Sequence, residues 1–154
     1  MKIEEFLKSL PNNIISGDNV QLPEYSFRRI FKFLDLNEKD IFYHLGCGDG
    51  KGIAMASEEF NVKKAVGVEN NKENIQQAEK LLKKKNLKNT ELLFEDIRTA
   101  KINDATVVLF WFTDNDIIET MMKKFENLQS GSRIITIWGP LPGCLPGKVD
   151  FPYI

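Results

Sequence analysis

The chain has 154 residues, 42% of them hydrophobic and 28% charged, so it is long enough for one domain and too short for two ordinary ones. Lys and Arg number 21 against 22 Asp and Glu, for a formal net charge of -1, which gives no general reason to expect nucleic acid or an anionic membrane as a partner. The sequence shows no signal peptide or membrane span, which predicts a cytoplasmic protein, and two cysteines with one histidine exclude a disulfide framework and a standard zinc site.

Residues 1–40 contain two segments whose apolar side chains recur at helical spacing. The first predicted helix covers residues 3–10. The second begins at Pro23 and carries Phe27, Ile30, Phe31 and Leu34 on one face.

From Ile41 onward, short apolar runs alternate with helical stretches, a pattern typical of βαβ units and a parallel sheet. Strands are predicted at 41–45, 64–69, 90–95, 105–113 and 133–138, with helices at 53–60, 71–85 and around 118–128. The fourth strand is apolar on both faces, as expected of a central strand. The sequence therefore predicts a single α/β domain with its core at 41–138 and an irregular, proline-rich tail at 139–154.

A glycine-rich turn, His44-Leu45-Gly46-Cys47-Gly48-Asp49-Gly50, follows the first strand. At this place in an α/β sheet, glycines let a nucleotide approach the backbone closely. A dinucleotide fingerprint would need glycine at position 51, which is lysine, and a P-loop would need glycine at 45, which is leucine. The G-x-G-x-G spacing instead suits S-adenosylmethionine, because no lysine is aimed at a phosphate.

Two acidic residues end the next two predicted strands. Glu69 lies about 20 residues past the glycine turn, where a carboxylate can accept both ribose hydroxyl hydrogens. Asp96 ends the third strand, where it or its neighbours could receive an adenine amino group. Both acids could instead be ordinary polar strand ends, but three features at matching strand ends favour a cofactor site.

Four segments together resemble class I S-adenosylmethionine-dependent methyltransferases. They are the glycine turn, Val66-Gly67-Val68-Glu69, Ala105-Thr106-Val107-Val108, and Leu128-Gln129-Ser130-Gly131-Ser132-Arg133-Ile134-Ile135. Within that class the chain is similar, more loosely, to the small non-SET protein-lysine methyltransferases, over about residues 19–138. The resemblance implies a Rossmann-like, doubly wound, mostly parallel sheet, whose usual C-terminal strand hairpin is short or missing here.

The resemblance also implies roles for particular residues. It puts Gly46, Cys47, Gly48 and Gly50 under the methionine end of the cofactor, Glu69 on the ribose, and Asp96 and Ile97 near adenine. It also puts the N-terminal helices of residues 1–40 over the cofactor site. His44, Asn70 and Phe110 complete the candidate cofactor-binding residues. His44 stands where the family usually has an acid, so it supplies no counter-charge to the cofactor's ammonium group. A packed side chain and a general base are the two interpretations of His44.

Methyl transfer is an in-line displacement that needs alignment and exclusion of water, and no proton-transfer residue is obligatory. The candidate catalytic residues are Trp111, Phe112 and Thr113, which would form an apolar acceptor mouth, with Trp138 as a weaker candidate. An apolar mouth favours the neutral lysine amine that attacks. Plain core packing is the alternative for the aromatic residues.

We expect a methyltransferase acting on protein lysines, with S-adenosylhomocysteine as product. The Asn- or Asp-Pro-Pro-Tyr signature of enzymes acting on bases is absent, which disfavours a nucleic-acid substrate. The alternatives are a cofactor-binding or scaffold protein with little activity, and a small-molecule or RNA methyltransferase. A sheet edge left open by absent strands could also allow oligomerisation.

Overall fold

A computed structural model describes residues 21–137 and 140–150 of the chain. Its elements in chain order are α1 (Glu24–Phe33), β1 (Ile41–Leu45), α2 (Lys51–Glu58), β2 (Lys64–Glu69), α3 (Lys72–Lys84), β3 (Thr90–Phe94), β4 (Val107–Phe110), α4 (Asn115–Phe125) and β5 (Arg133–Thr136). The helix predicted at 3–10 and Trp138 lie outside the described residues. Residues 140–150 contain neither helix nor strand.

The five strands form one parallel sheet in the order β3-β2-β1-β4-β5. In chain order, β2 and β3 lie successively on one side of β1, and the chain then crosses to the other side of β1, where it forms β4 and β5. Ligands of doubly wound sheets bind outside the carboxyl ends of the strands, where this reversal opens a crevice. The predicted α/β, doubly wound fold is therefore confirmed, with its crevice between β1 and β4.

Successive side chains of β1 point to opposite faces of the sheet, which gives the core two halves. Phe42 packs with α1 and α2 on one face, and Tyr43 and Leu45 pack with α4 on the other. α1 buries Phe27 and Phe31 of its predicted apolar face. No helix within 21–137 and 140–150 combines the length and the apolar composition that a bilayer span requires.

Several predicted boundaries were wrong, including those of the last helix, which covers Asn115–Phe125 instead of about 118–128. The fourth strand covers Val107–Phe110 instead of 105–113, because its neighbours β1 and β5 offer it only four ladder positions. Trp111, Phe112 and Thr113 therefore lie in the loop beyond the strand. α2 begins at Lys51, two residues earlier than predicted, because the turn leads directly into it. β5 ends at Thr136, before the predicted end at 138.

A buried polar network joins the amino ends of three strands. The carboxylate of Asp40 accepts hydrogen bonds from the backbone N–H of Asn37 at 3.0 Å and the hydroxyl of Thr106 at 2.9 Å, and it pairs with the guanidinium of Arg133. Arg133 also donates to the carbonyl of Leu34 at the end of α1. This network fixes α1 to the sheet at the edge opposite the crevice.

Candidate functional site

The glycine turn is built from left-handed backbone. Gly46, Gly48 and Gly50 have φ of 76°, 54° and 80°, values that residues with a Cβ adopt only with strain. The backbone N–H groups of Gly46 and Cys47 both donate to the carbonyl of Val68, at 2.8 and 3.0 Å. The turn is thereby folded back over the end of β2, toward Glu69.

Glu69 ties the glycine turn to the start of α3. Its side chain is only 7% exposed, and each carboxylate oxygen accepts one backbone N–H, from Gly48 at 2.9 Å and from Asn71 at 2.8 Å. Each oxygen retains further acceptor capacity. Asn71 in turn caps α3 by accepting from the N–H groups of Glu73 and Asn74.

Asp49 connects the turn to the segment before α1. The side-chain amide of Gln21 is oriented so that both of its polar atoms form hydrogen bonds. Its nitrogen donates to the two carboxylate oxygens of Asp49 at 2.6 and 2.8 Å, and its oxygen accepts from the Asp49 backbone N–H at 3.2 Å. The ammonium group of Lys51 lies 2.8 Å from the same carboxylate. Gln21 therefore covers the glycine turn from the N-terminal side.

His44 points away from the strand tip, toward α1 and α2. Its ring contacts Phe27 edge-on, with centroids 5.5 Å apart, and its Nδ1 is buried without a hydrogen-bond partner among the described residues. Burial lowers the pKa of His44 to about 4, partly opposed by the charge of Asp49. The imidazole is therefore neutral at pH 7, and Gly52 leaves room for it, since a Cβ there would lie 2.9 Å from Nδ1.

Cys47 is a buried thiol beneath the turn. Burial, chiefly, raises its pKa to about 12, so the group is protonated and unreactive at neutral pH. A Cβ on Gly67 of β2 would lie 2.6 Å from its sulfur. Glycine at that position lets the thiol pack against the strand.

Asp96 follows β3 and is held by its near neighbour Arg98. Its carboxylate accepts from the Arg98 backbone N–H at 2.8 Å and from the guanidinium at 2.9 and 2.6 Å. These hydrogen bonds lower the pKa of Asp96. The segment that follows is anchored to α4, because the ammonium of Lys124 donates to the carbonyl of Ala100 at 2.6 Å.

The loop after β4 carries the aromatic residues. The ring of Phe112 lies above the glycine turn, with Cζ 3.0 Å from where a Cβ of Gly46 would be. Phe112 also stacks on Phe110, with centroids 5.2 Å apart. Asp114 then caps α4 by accepting from the Ile117 N–H at 3.0 Å.

These elements surround one cavity of about 790 Å³ at the carboxyl edge of the sheet, a size typical of small-molecule sites. Most of the predicted site residues line it: His44, Gly46, Cys47, Gly48, Glu69, Asn70, Asp96, Ile97, Trp111, Phe112 and Thr113. Gly50 does not line it, because it lies against Ala78 of α3, where a Cβ would be 2.8 Å from the alanine Cβ. Phe110 is 1% exposed and faces a separate, smaller cavity.

Several lining residues were missed in the sequence: Gln21, Leu22, Phe27, Leu45, Asp49, Asn71, Asn74, Arg98, Leu109, Asp114, Ile117 and Ile137. Asn71 and Asp114 carried a usable signal, since both are N-caps of helices that begin just after strand ends. Phe27 was predicted on the apolar face of the second helix, whereas Gln21 carried no local signal, because only tertiary packing brings it to the turn.

Fold and cavity together define an α/β domain of the nucleotide-binding type, with a small-molecule site at the carboxyl ends of its strands. A family model described as a methyltransferase domain matches residues 37–136, and the chain belongs to this family. It is an S-adenosylmethionine-dependent methyltransferase of class I. A protein-lysine N-methyltransferase of Saccharolobus islandicus (strain REY15A) is 35% identical over 132 residues, covering 84% of this chain and 81% of the relative.

Solved structures share the fold at lower identity. An RNA methyltransferase from Salinibacter ruber, in complex with S-adenosyl-L-homocysteine, superposes with a TM-score of 0.71 at 23% identity, covering 86% of this chain and all of that one. A precorrin 8w decarboxylase from Methanobacterium thermoautotrophicum gives a TM-score of 0.65 at 22% identity, covering 76% of this chain and 63% of that one. At these identities the likeness establishes the fold and leaves the acceptor open.

Proposed function

We propose that this methyltransferase transfers the methyl group of S-adenosylmethionine to lysine side chains of proteins. The observation that carries the proposal is the 35% identity, over most of both chains, to a protein-lysine N-methyltransferase. The charge and polarity of the candidate site favour the same acceptor and argue against RNA.

The residues at the glycine turn fit the cofactor. Gly46 and Gly48 have no side chain to fill the cavity beneath the aromatic loop, and the left-handed turn leaves backbone open to a ligand. Glu69 would accept the ribose hydroxyls with the acceptor capacity that its two backbone hydrogen bonds leave free. Asp96 and Ile97 would border the adenine, and Asn70 would lie beside the ribose.

The charged groups of the described cavity lining favour a cationic acceptor. Four lining residues are acidic, Asp49, Glu69, Asp96 and Asp114, whereas Arg98 is the basic residue of that lining. Asp96 is paired with Arg98 and Asp49 with Lys51, so the excess negative charge of the described lining comes from Glu69 and Asp114. Such a lining attracts an ammonium group and repels a phosphate backbone. The basic run Lys83-Lys84-Lys85 ends α3, so it lies near the amino edge of the sheet, away from the cavity.

When bound, S-adenosylmethionine supplies an electrophilic methyl group on a sulfonium. The acidic lining would bring the lysine ammonium to the mouth. Trp111 and Phe112, together with Ile137, would then desolvate it, which favours loss of its proton to water and leaves the lone pair free. Thr113 lies beside them on the same loop, and the loop aligns the amine for in-line attack.

His44 acts as a packed group in this proposal and not as a general base. Its pKa of about 4 lies far below the ordinary range of a base that works at neutral pH. Its ring is enclosed by Phe27 and the glycine backbone of α2. The proposed transfer therefore does not use His44 to accept a proton.

The test is transfer of tritiated methyl from S-adenosylmethionine to separated protein, RNA and metabolite fractions, with mass spectrometry of the labelled protein. We expect label on lysine ε-amino groups and none on RNA. Label confined to RNA or metabolites would overturn the lysine assignment. Cofactor binding measured by calorimetry without transfer to any fraction would identify a scaffold that has lost turnover.

A Trp111→Leu variant separates the mouth from the cofactor site. We expect its turnover on lysine to fall about 10-fold, because the aromatic wall that excludes water is reduced, while its affinity for S-adenosylmethionine changes little. The exposed Tyr25, which does not line the cavity, provides a matched control, since Tyr25→Leu removes an aromatic ring that is not part of the mouth.

A further inference from the structure

A second, smaller cavity of about 180 Å³ lies next to the candidate acceptor mouth. It shares Phe112 and Ile137 with the larger cavity, so one wall separates the two spaces. Phe110 forms its floor, and Ile118 of α4 forms one side. The small cavity is thus adjacent to the place where methyl transfer is proposed.

The chemistry of this cavity differs from that of its neighbour. Its described lining contains no ionisable side chain, and its polar side chain is the hydroxyl of Thr136. A charged group would lose its hydration there without gaining a partner. Apolar cavities of about 150 Å³ hold one benzene-sized molecule, so this space matches a single large aliphatic side chain.

The outer wall of the cavity comes from Pro140, Leu141 and Pro142, at the start of a segment that we term the C-terminal strap, residues 140–150. Leu141 packs against the core cluster of the α4 face, and its carbonyl accepts from the Cys144 N–H at 3.0 Å, which closes a turn. The first residues of the strap are therefore packed against the hydrophobic core.

The far end of the strap is fastened to α1. Asp150 accepts from Arg29 through two hydrogen bonds of 2.9 and 3.0 Å. Lys148 donates to the carbonyl of Phe33 at 2.7 Å and lies 4.5 Å from the centroid of its ring. Anchored at both ends, the strap places an apolar wall beside the mouth, and the cavity stays partly open to solvent.

We propose that this small cavity is a specificity subsite that binds an aliphatic side chain of the protein substrate close to the acceptor lysine. The subsite rests on the proposed lysine methylation. It predicts that lysines with a leucine, isoleucine or methionine at one particular neighbouring position are methylated faster than lysines in polar surroundings.

The test uses short peptides with one lysine in a serine-rich background, in which a leucine is moved one position at a time along both sides of the lysine. We expect one position to raise kcat/KM about 10-fold over the all-serine peptide, since burying an aliphatic side chain gives selectivity of that order. Equal rates at every position would overturn the subsite and leave the proposed function standing. No methylation of any peptide would overturn the subsite, and absence of label on the protein fraction as well, with cofactor binding intact, would refute the proposed function.

Two variants connect the preference to the cavity. Ile118→Trp fills the cavity and should abolish the leucine preference, while the all-serine peptide is still methylated and the Kd of S-adenosylmethionine is unchanged. Glu119→Trp adds the same bulk at the next, exposed position of α4 and should keep the preference. A preference that survives in Ile118→Trp contradicts the assignment.

A third variant tests the strap. Lys148→Ala combined with Asp150→Ala releases the strap from α1 and should reduce the leucine preference severalfold by raising KM for the leucine peptide more than for the serine peptide. An equal change in KM for both peptides would mean that the strap does not form the wall of the subsite.

Discussion

Each edge of the sheet buries one carboxylate, and the two carboxylates are held in different ways. Asp40 at the amino edge is 5% exposed and Glu69 at the carboxyl edge is 7% exposed. Asp40 is paired with the guanidinium of Arg133 and the hydroxyl of Thr106. Glu69 is held by two backbone N–H groups and lines the large cavity.

The two carboxylates differ in the charge and the hydrogen-bond acceptor capacity that remain available to a ligand. A charged side-chain partner neutralises Asp40 within the fold, at the edge of the sheet opposite the large cavity. Backbone donors fix the position of Glu69 but leave its charge and part of its acceptor capacity available to a ligand in the crevice. Burial of an acid is therefore a poor guide to function, and the nature of its partners is a better one.

The largest expected effect is on stability at the amino edge. Asp40→Ala should lower the free energy of unfolding by roughly 4 kcal/mol, because it leaves the buried end of Arg133 without its charged partner. Urea denaturation measures this effect. The Kd of S-adenosylmethionine for the folded protein should not change, and the exposed Glu38→Gln provides a control that should leave both quantities unaltered. A large rise in Kd for Asp40→Ala would mean that the two edges are coupled.

The next effect separates packing from backbone strain within the glycine turn. Gly50→Ala should lower the free energy of unfolding by about 3 kcal/mol, because its Cβ would overlap Ala78 and its φ is 80°. Gly131→Ala is the matched control, since Gly131 has a φ of 87° in open space, and it should lose only about 1 kcal/mol through backbone strain. Equal losses in thermal or urea unfolding would show that strain, and not packing against α3, explains Gly50.

At the carboxyl edge the expected effect is on the cofactor. Glu69→Ala should weaken S-adenosylmethionine binding about 30-fold, near 2 kcal/mol, through loss of charged hydrogen bonds to the ribose. Calorimetry of this variant is compared with that of Glu79→Ala, an exposed acid on α3 that should bind normally. An unchanged Kd in Glu69→Ala would mean that the ribose lies elsewhere, and the contrast between the two edges would then fail.

The smallest effect is a pH dependence from His44. Its pKa of about 4 in the folded protein lies below its ordinary value, so between pH 4 and 6.5 the unfolded state binds more protons and stability falls as pH falls. The loss from pH 7 to 5.5 should be about 1 kcal/mol. Unfolding curves of wild type and His44→Met at both pH values measure it. If both proteins lose equal stability, His44 is not the buried neutral group.

The sequence predicted the parts of the site that follow from local rules. Alternating apolar runs indicated the parallel sheet, and glycines after β1 with acids after β2 and β3 marked the edge where strand ends meet. His44 was predicted to be packed or catalytic. Its place on the same face of β1 as Phe42, with α1 over it, favours packing.

The alternation of short apolar runs with helical stretches by itself indicated a parallel α/β sheet, and the glycine spacing after β1 indicated a nucleotide-type turn. The doubly wound order was implied by the resemblance to class I methyltransferases. Only the tertiary structure decided how far β4 extends, because its neighbours limit the ladder. It also decided that Gly50 serves packing, that Gln21 reaches the turn, and that the C-terminal strap borders a second cavity. These features depend on contacts between segments distant in the chain, and periodicity and spacing report only on residues that are near one another.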